Sequence, residues 1–154
     1  MIDPLLWIWL AQACSPGSDA WGILRDAGHT PLSLRAAGRE ELTALIPRRR
    51  ALIERLLDRD TTAASRILAV CAERGVAVVP YDAPGYPAAL RELRDPPAVL
   101  YVCGRLPTDG VPAVSLVGTR TPSAYGARVA YSAARDLASA GVTVVSGLAL
   151  GVEA

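Results

Sequence analysis

Two rhythms of apolar and polar positions divide the 154 residues. Over residues 1–60 apolar side chains recur at helical spacing and no β-branched run interrupts them. Leu5–Ala13 is one short helix, with Asp3 and Pro4 placed as N-cap and first helical residue. A second starts at Ser18 or Asp19 and stops at Gly28. A third spans Gly38–Ile46 on Leu42, Leu45 and Ile46, and a fourth runs from Pro47 to about Asp58 on Leu52, Ile53, Leu56 and Leu57. After a further helix, Thr62–Arg74, closed by Gly75, the rhythm changes. Val76–Val79 and Ala98–Cys103 are continuous apolar runs of strand length. Between them lie a turn-rich stretch, Tyr81–Pro87, a short helix, Ala88–Leu93, and Asp95-Pro96-Pro97, whose prolines enforce extended backbone.

After a polar connector, Arg105–Pro112, comes the segment around which the rest is organised. Val114–Val117 reads as a buried strand, Gly118–Ser123 as a polar loop, and Ala124–Ala140 as a helix. Gly141 stands where a left-handed C-terminal residue belongs. Val142–Val145 is a second strand, and Ser146–Gly151 a second glycine-bearing loop. A right-handed strand–helix–strand crossover makes the two strands parallel and brings both loops to one carboxyl edge, where open α/β sheets bind ligands.

Composition narrows the class. Half of the residues are apolar and 20% charged, as in a folded globular protein. The net charge of +1 means that any attraction to nucleic acid is local. All 16 basic residues are arginine, which reads as genome-wide composition bias. Cys14, Cys71 and Cys103 are odd in number and widely separated, and only His29 could join them. That pattern predicts three reduced thiols in the cytoplasm, with neither a zinc site nor a disulfide framework. Leu5–Ala13 falls far short of the ~20 residues of a membrane span and has no basic region before it. Trp7 and Trp9 are expected in the core.

The short helices of residues 1–60, joined by tight turns, suggest a small domain of the SAM or helix–hairpin–helix kind. The only candidate hairpin, Ser15-Pro16-Gly17-Ser18, is a poor match to one that binds phosphate through a glycine-rich turn. Arg48, Arg49 and Arg50, followed by Arg55 and Arg59, form the densest basic patch, offset by Glu54, Asp58 and Asp60. It is read either as a solvated helix face or as a secondary contact to DNA.

The two loops of the organising segment supply hydroxyls, main-chain amides, Arg120 and Glu153, but no histidine, cysteine or lysine. That inventory suits holding phosphate better than making or breaking bonds. Amides at the start of the helix and its positive dipole end face the edge. Gly118 is expected to admit a ligand closely, and Gly126 to bring the first turn near the strand. Arg120 adds a fork for a bidentate phosphate contact. The spacing is not GxGxxG, and no acidic residue closes the second strand, so a dinucleotide cofactor is not expected. The plainer alternative is a tight turn and a capped helix.

Three blocks carry a resemblance. Tyr86-Pro87, Leu90, Asp95-Pro96-Pro97-Ala98-Val99-Leu100-Tyr101 and Gly104 form the first. Val117-Gly118-Thr119-Arg120 with Ser123, Tyr125 and Gly126 form the second, and Ser146–Ala154 the third. In this order they resemble the DNA-processing protein A (DprA, or Smf) family over roughly Tyr81–Ala154. Glu153 stands where that family usually has aspartate.

The resemblance implies an α/β fold: a small helical SAM-like N-terminal domain (residues 1–60) followed by an incomplete Rossmann-like parallel-sheet domain (residues 61–154). It also implies that the chain is the amino-terminal portion of a longer protein. The implied work is not enzymatic. Family members bind single-stranded DNA during natural transformation, protect it, dimerise and load RecA recombinase on it, in the cytoplasm, without a metal or cofactor and without membrane insertion. Gly118, Thr119, Arg120, Ser123, Tyr125, Gly126, Ser146, Gly147, Leu148, Ala149 and Gly151 are then the DNA- and phosphate-binding set. The alternative is a Rossmann-type nucleotide phosphoribohydrolase of the lysine decarboxylase-like group, whose second loop also ends in Glu-Ala. For residues 1–60 a protein-interaction module stands beside the DNA-contact reading.

Overall fold

A computed structural model describes residues 2–15 and 18–153. Pro16 and Gly17, the centre of the candidate hairpin, lie outside the described residues. The fold is mixed α/β, a helical part followed by an incomplete parallel sheet, and it divides into two compact units, Met1–Leu106 and Pro107–Ala154.

The first unit opens with α1 (Pro4–Cys14). The Asp3 carboxylate caps it by accepting the Leu5 N–H at 2.9 Å, and Pro4 occupies the first turn. Then follow α2 (Ala20–Asp26), α3 (Pro31–Ala36), α4 (Arg39–Leu45), α5 (Arg50–Leu57) and α6 (Thr62–Glu73). Helix α3 has no counterpart in the periodicity. Six residues are too few to show a repeat, and it is held by a local device instead: Thr30 and Ser33 cap each other reciprocally ahead of Pro31. The start of the fourth predicted helix also moves inward. Pro47–Arg49 form a turn, and α5 begins at Arg50.

Helix α1 is apolar almost all round and is the axis of this unit. Trp7, Ile8, Trp9 and Leu10 are buried, and they pack with Trp21, Leu24, Leu34, Leu42, Leu52, Ile53 and Leu56 from the helices around them. Full burial of one such side chain stabilises the fold by about 1.5–3 kcal/mol.

Strands β1 (Ala77–Pro80) and β2 (Val99–Val102) pair antiparallel, Ala77 opposite Val102 and Pro80 opposite Val99. They form a ribbon of their own and do not join the parallel pair, contrary to the expectation that all strands would share a parallel sheet. The physical reason is the connection. Its turns and the four-residue α7 (Ala88–Arg91) reverse the chain without a helix that could cross over a sheet. A two-stranded ribbon is marginal by itself, and here Ala98 and Val99 enter the helical core.

The ribbon's connection is tied to the helices by aromatic and polar contacts. Trp7 and Trp21 meet edge to face at 5.3 Å, Tyr81 lies 5.7 Å from Trp21, and Tyr86 lies 5.3 Å from Tyr81. Arg91 sits over both tyrosine rings at 5.2 and 5.1 Å. The Tyr86 hydroxyl donates to the Pro97 carbonyl at 2.8 Å, and the Gly22 N–H donates to the Asp95 carboxylate at 3.0 Å.

The second unit is one strand–helix–strand element. Strands β3 (Ala113–Ser115) and β4 (Thr143–Val145) pair in parallel, Val114 opposite Val144, with α8 (Ala124–Ser139) between them in sequence. Contrary to the expectation of a buried strand over Val114–Val117, β3 ends at Ser115 and is exposed along its length, because α8 packs chiefly on β4 and leaves β3 uncovered among the described residues. Gly141 takes φ +80° after α8, as the helix ending requires.

Candidate functional site

Because β3 and β4 run parallel, the loops that follow them, residues 116–123 and 146–153, leave from the same carboxyl edge. The loops also touch. The Val152 N–H donates to the Thr119 carbonyl at 3.2 Å. A methyl group placed on Gly118 would lie 2.7–2.8 Å from three carbons of Val152, and one placed on Gly151 would collide with the Thr119 carbonyl oxygen. Gly151 also holds φ +101°, which only glycine adopts without strain. Gly118 therefore lets the second loop close on the first, a different task from admitting a ligand. At Gly126 a methyl group would meet Ser123 Oγ at 3.4 Å and Pro122 at 3.9 Å, ordinary contacts, so close approach to the strand does not require glycine there.

Ser123 is the N-cap of α8. Its hydroxyl accepts the Gly126 N–H at 3.1 Å, and its carbonyl accepts the Ala127 N–H at 2.9 Å. The amides of Ala124 and Tyr125 keep no acceptor among the described residues. They remain at the positive end of a 16-residue helix. Thr119 Oγ1 accepts the Thr121 N–H at 3.2 Å and shapes the first loop. Arg120 is exposed, and its guanidinium has no hydrogen bond or ion pair among the described residues.

In the second loop a carboxylate occupies part of the expected donor set. Glu153 Oε2 accepts the Gly147 N–H at 3.0 Å, and the Ser146 hydroxyl donates to the Glu153 carbonyl at 3.1 Å. The Gly147 amide is thus engaged, and any incoming anion must compete with Glu153 for it. Leu148 stands out with φ +54° and 83% exposure, and Leu150 is likewise exposed, while Ala149 is half-buried. The sequence inventory included Glu153, but its bond to Gly147 could not be read there, because it depends on a six-residue loop folding back on itself.

The structure thus brings Gly118, Thr119 and Gly151 into one contact cluster. Ser123, Tyr125 and Gly126 share the first turn of α8, and Ser146 and Gly147 are joined through Glu153. Arg48, Arg49 and Arg50 belong to the first unit, where they are not equivalent. Arg49 pairs with Asp19 through two bonds at 2.6 and 2.9 Å, and this contact holds the Asp19 carboxyl below its usual range. Arg55 Nε donates to the Ala13 carbonyl at 2.6 Å and Arg59 to the Ala37 carbonyl at 3.2 Å, so both secure helix ends. Arg48 and Arg50 are exposed and make no ion pair among the described residues. Among the described residues, no helix is long and apolar enough to cross a membrane.

The family model for DNA recombination-mediator protein A matches residues 77–154. The chain is 38% identical over 90 residues to the DNA processing protein DprA of Bacillus subtilis, covering 57% of this chain and 30% of that protein. It is 44% identical over 77 residues to Protein Smf of Synechocystis, covering 47% of this chain and 19% of the relative. Against Protein Smf of Escherichia coli the identity is 37% over 76 residues, 49% of this chain and 20% of the relative. The chain therefore spans less than a third of the length of these curated relatives. A match that runs from the first strand through both loops of the parallel pair makes this chain a member of the DNA recombination-mediator protein A family.

Proposed function

We propose that the carboxyl edge of β3 and β4 holds the phosphates of single-stranded DNA without cutting it. The observation that carries this reading is Arg120, exposed and unpaired among the described residues, on a loop that also leads to the uncapped amides of Ala124 and Tyr125. A guanidinium and main-chain donors at a helix start are complementary to a phosphodiester. The two loops contain no histidine, cysteine or lysine that could act as nucleophile or base, which supports binding over catalysis.

Thr119, Ser123 and the close approach of Gly118 to Val152 and of Gly151 to Thr119 shape the edge, while Ser146, Gly147, Leu148 and Ala149 form its second wall. Arg48 and Arg50 are a secondary basic contact, and Arg49 positions its neighbours through Asp19. In the full-length protein this binding would protect single strands taken up in transformation and serve loading of RecA recombinase, by a cytoplasmic homodimer that needs no cofactor.

Measurement of single-strand affinity against salt concentration tests the edge. Arg120→Ala should weaken binding about 10- to 100-fold, the worth of one charge-assisted hydrogen bond. It should also lower the slope of log affinity against log salt by about 0.7, one phosphate contact. Unchanged affinity and slope would refute the assignment.

A further inference from the structure

The outward face of α8 carries a second pattern. Gly126, Ala130, Ala133, Ala134 and Leu137 are half-buried and form the packed side of the helix. Opposite them, at spacings of three, three and four residues, lie Tyr125, Arg128, Tyr131 and Arg135. These four line a shallow groove of about 680 Å³. Tyr125 is 70% exposed and Tyr131 73%, unusual for aromatic rings on a helix that has an apolar face to pack. Arg128 is exposed and makes no ion pair among the described residues. Arg135 is turned along the helix by Asp136, whose carboxylate accepts from Nε at 2.9 Å and Nη2 at 2.8 Å, and its Nη1 is left unbonded among the described residues.

We infer that this alternating tyrosine–arginine stripe is a base-stacking track for a single polynucleotide strand, continuing from the phosphate-holding edge at the start of α8. The inference rests on the reading of that edge and adds contacts to the bases. Two features of the stripe select the occupant. Alternating rings and guanidiniums match alternating bases and phosphates, and the stripe begins at Tyr125, in the same turn as the Ser123 cap. The stripe carries two cations, Arg128 and Arg135, and no carboxylate faces Arg128, so its charge is complementary to a polyanion. Tyr125 and Tyr131 are six residues apart, about 9 Å along the helix axis. A base whose face lies on a tyrosine ring has given up the neighbouring base on that face, so the stripe fits an open strand and not a stacked duplex.

The test uses the intact chain with two probes, an oligodeoxythymidylate and an abasic strand of equal length. Tyr131→Ala should weaken thymidylate binding by roughly tenfold, the worth of one base–aromatic stack, and leave abasic binding unchanged. Tyr131→Phe should bind both strands as the parent does. Arg128→Ala should weaken both and lower the salt slope by about 0.7. Since Tyr131 is largely exposed, unchanged circular dichroism will show that its variants are folded. Equal affinity of the parent for the two strands, or a Tyr131→Ala protein that binds thymidylate normally, would overturn the track. Loss of self-association in Tyr131→Ala with strand binding intact would do the same and identify a copy interface instead. Arg120→Ala separates the two readings. If it leaves binding unaffected while Tyr131→Ala does not, the edge assignment fails and the track stands.

Discussion

Replacing Gly22 by alanine should destabilise the first unit, against the ordinary preference of helices. Gly22 lies inside α2, where alanine is favoured by about 1 kcal/mol. A methyl group there would stand 2.5 Å from the Arg94 carbonyl oxygen. The closest comfortable carbon–oxygen separation is about 3.3 Å. The obstacle is backbone, held in place by the buried Pro96 and by the Arg25 guanidinium, which donates to the Leu93 and Arg94 carbonyls at 3.5 and 3.3 Å. Overpacking of this kind costs about 1–3 kcal/mol. If α2 slides away instead, the Gly22–Asp95 bond at 3.0 Å is lost, and a hydrogen bond to a charged group is worth about 1.5–3 kcal/mol. After the gain in helix propensity, the net loss is roughly 0.5–2 kcal/mol. All three tryptophans lie in the Met1–Leu106 unit, so their fluorescence during urea unfolding reports on it. With a urea dependence of about 2 kcal/mol per molar, the midpoint should fall by roughly 0.25–1 M. A midpoint equal to or above that of the parent would refute the claim that α2 docks against the 94–95 backbone.

Two further expectations concern groups that burial makes unreactive. Tyr86→Phe removes the donor to the Pro97 carbonyl and should cost about 1–3 kcal/mol in the same urea assay. Burial pushes the Tyr86 hydroxyl up to about 12. Its raised value means a contribution to stability that is complete below the ordinary tyrosine range near pH 10 and lost as the pH rises toward 12. The Phe variant should therefore lose the latest-titrating component of the tyrosinate absorbance. Against a colourless disulfide reagent that releases a coloured thiolate, Cys103, exposed, should react first and singly. Cys14, buried and with its thiol pushed up to about 12 mainly by that burial, should react only on unfolding, and buried Cys71 should also lag. Fast reaction of two or three thiols in the folded protein would contradict this order.

Local signals accounted for elements but not for their partners. Asp3-Pro4 marks the start of α1, Ser123 the start of α8 and Gly141 its end, because caps and left-handed endings are settled within one turn of chain. The apolar runs that became β1 to β4 were legible for the same reason, as was the parallel pairing of β3 and β4, since a helix-long connection imposes it. What periodicity could not show was α3, too short to repeat, or the antiparallel pairing of β1 with β2, which depends on how an irregular connection turns.

The site divides in the same way. Sequence by itself determined which residues stand at the carboxyl edge, that they include one guanidinium and no histidine, cysteine or lysine, and which family the motifs point to. Only the tertiary structure decided what those residues touch. Gly118 and Gly151 serve the packing of one loop on the other, Glu153 holds the Gly147 amide, and Arg49 faces Asp19, whereas Arg120 has no such partner among the described residues. The physical reason is range. Capping, turn chemistry and strand propensity act over a few neighbouring residues. Whether a donor is free or engaged depends on atoms that folding brings together from separate parts of the chain.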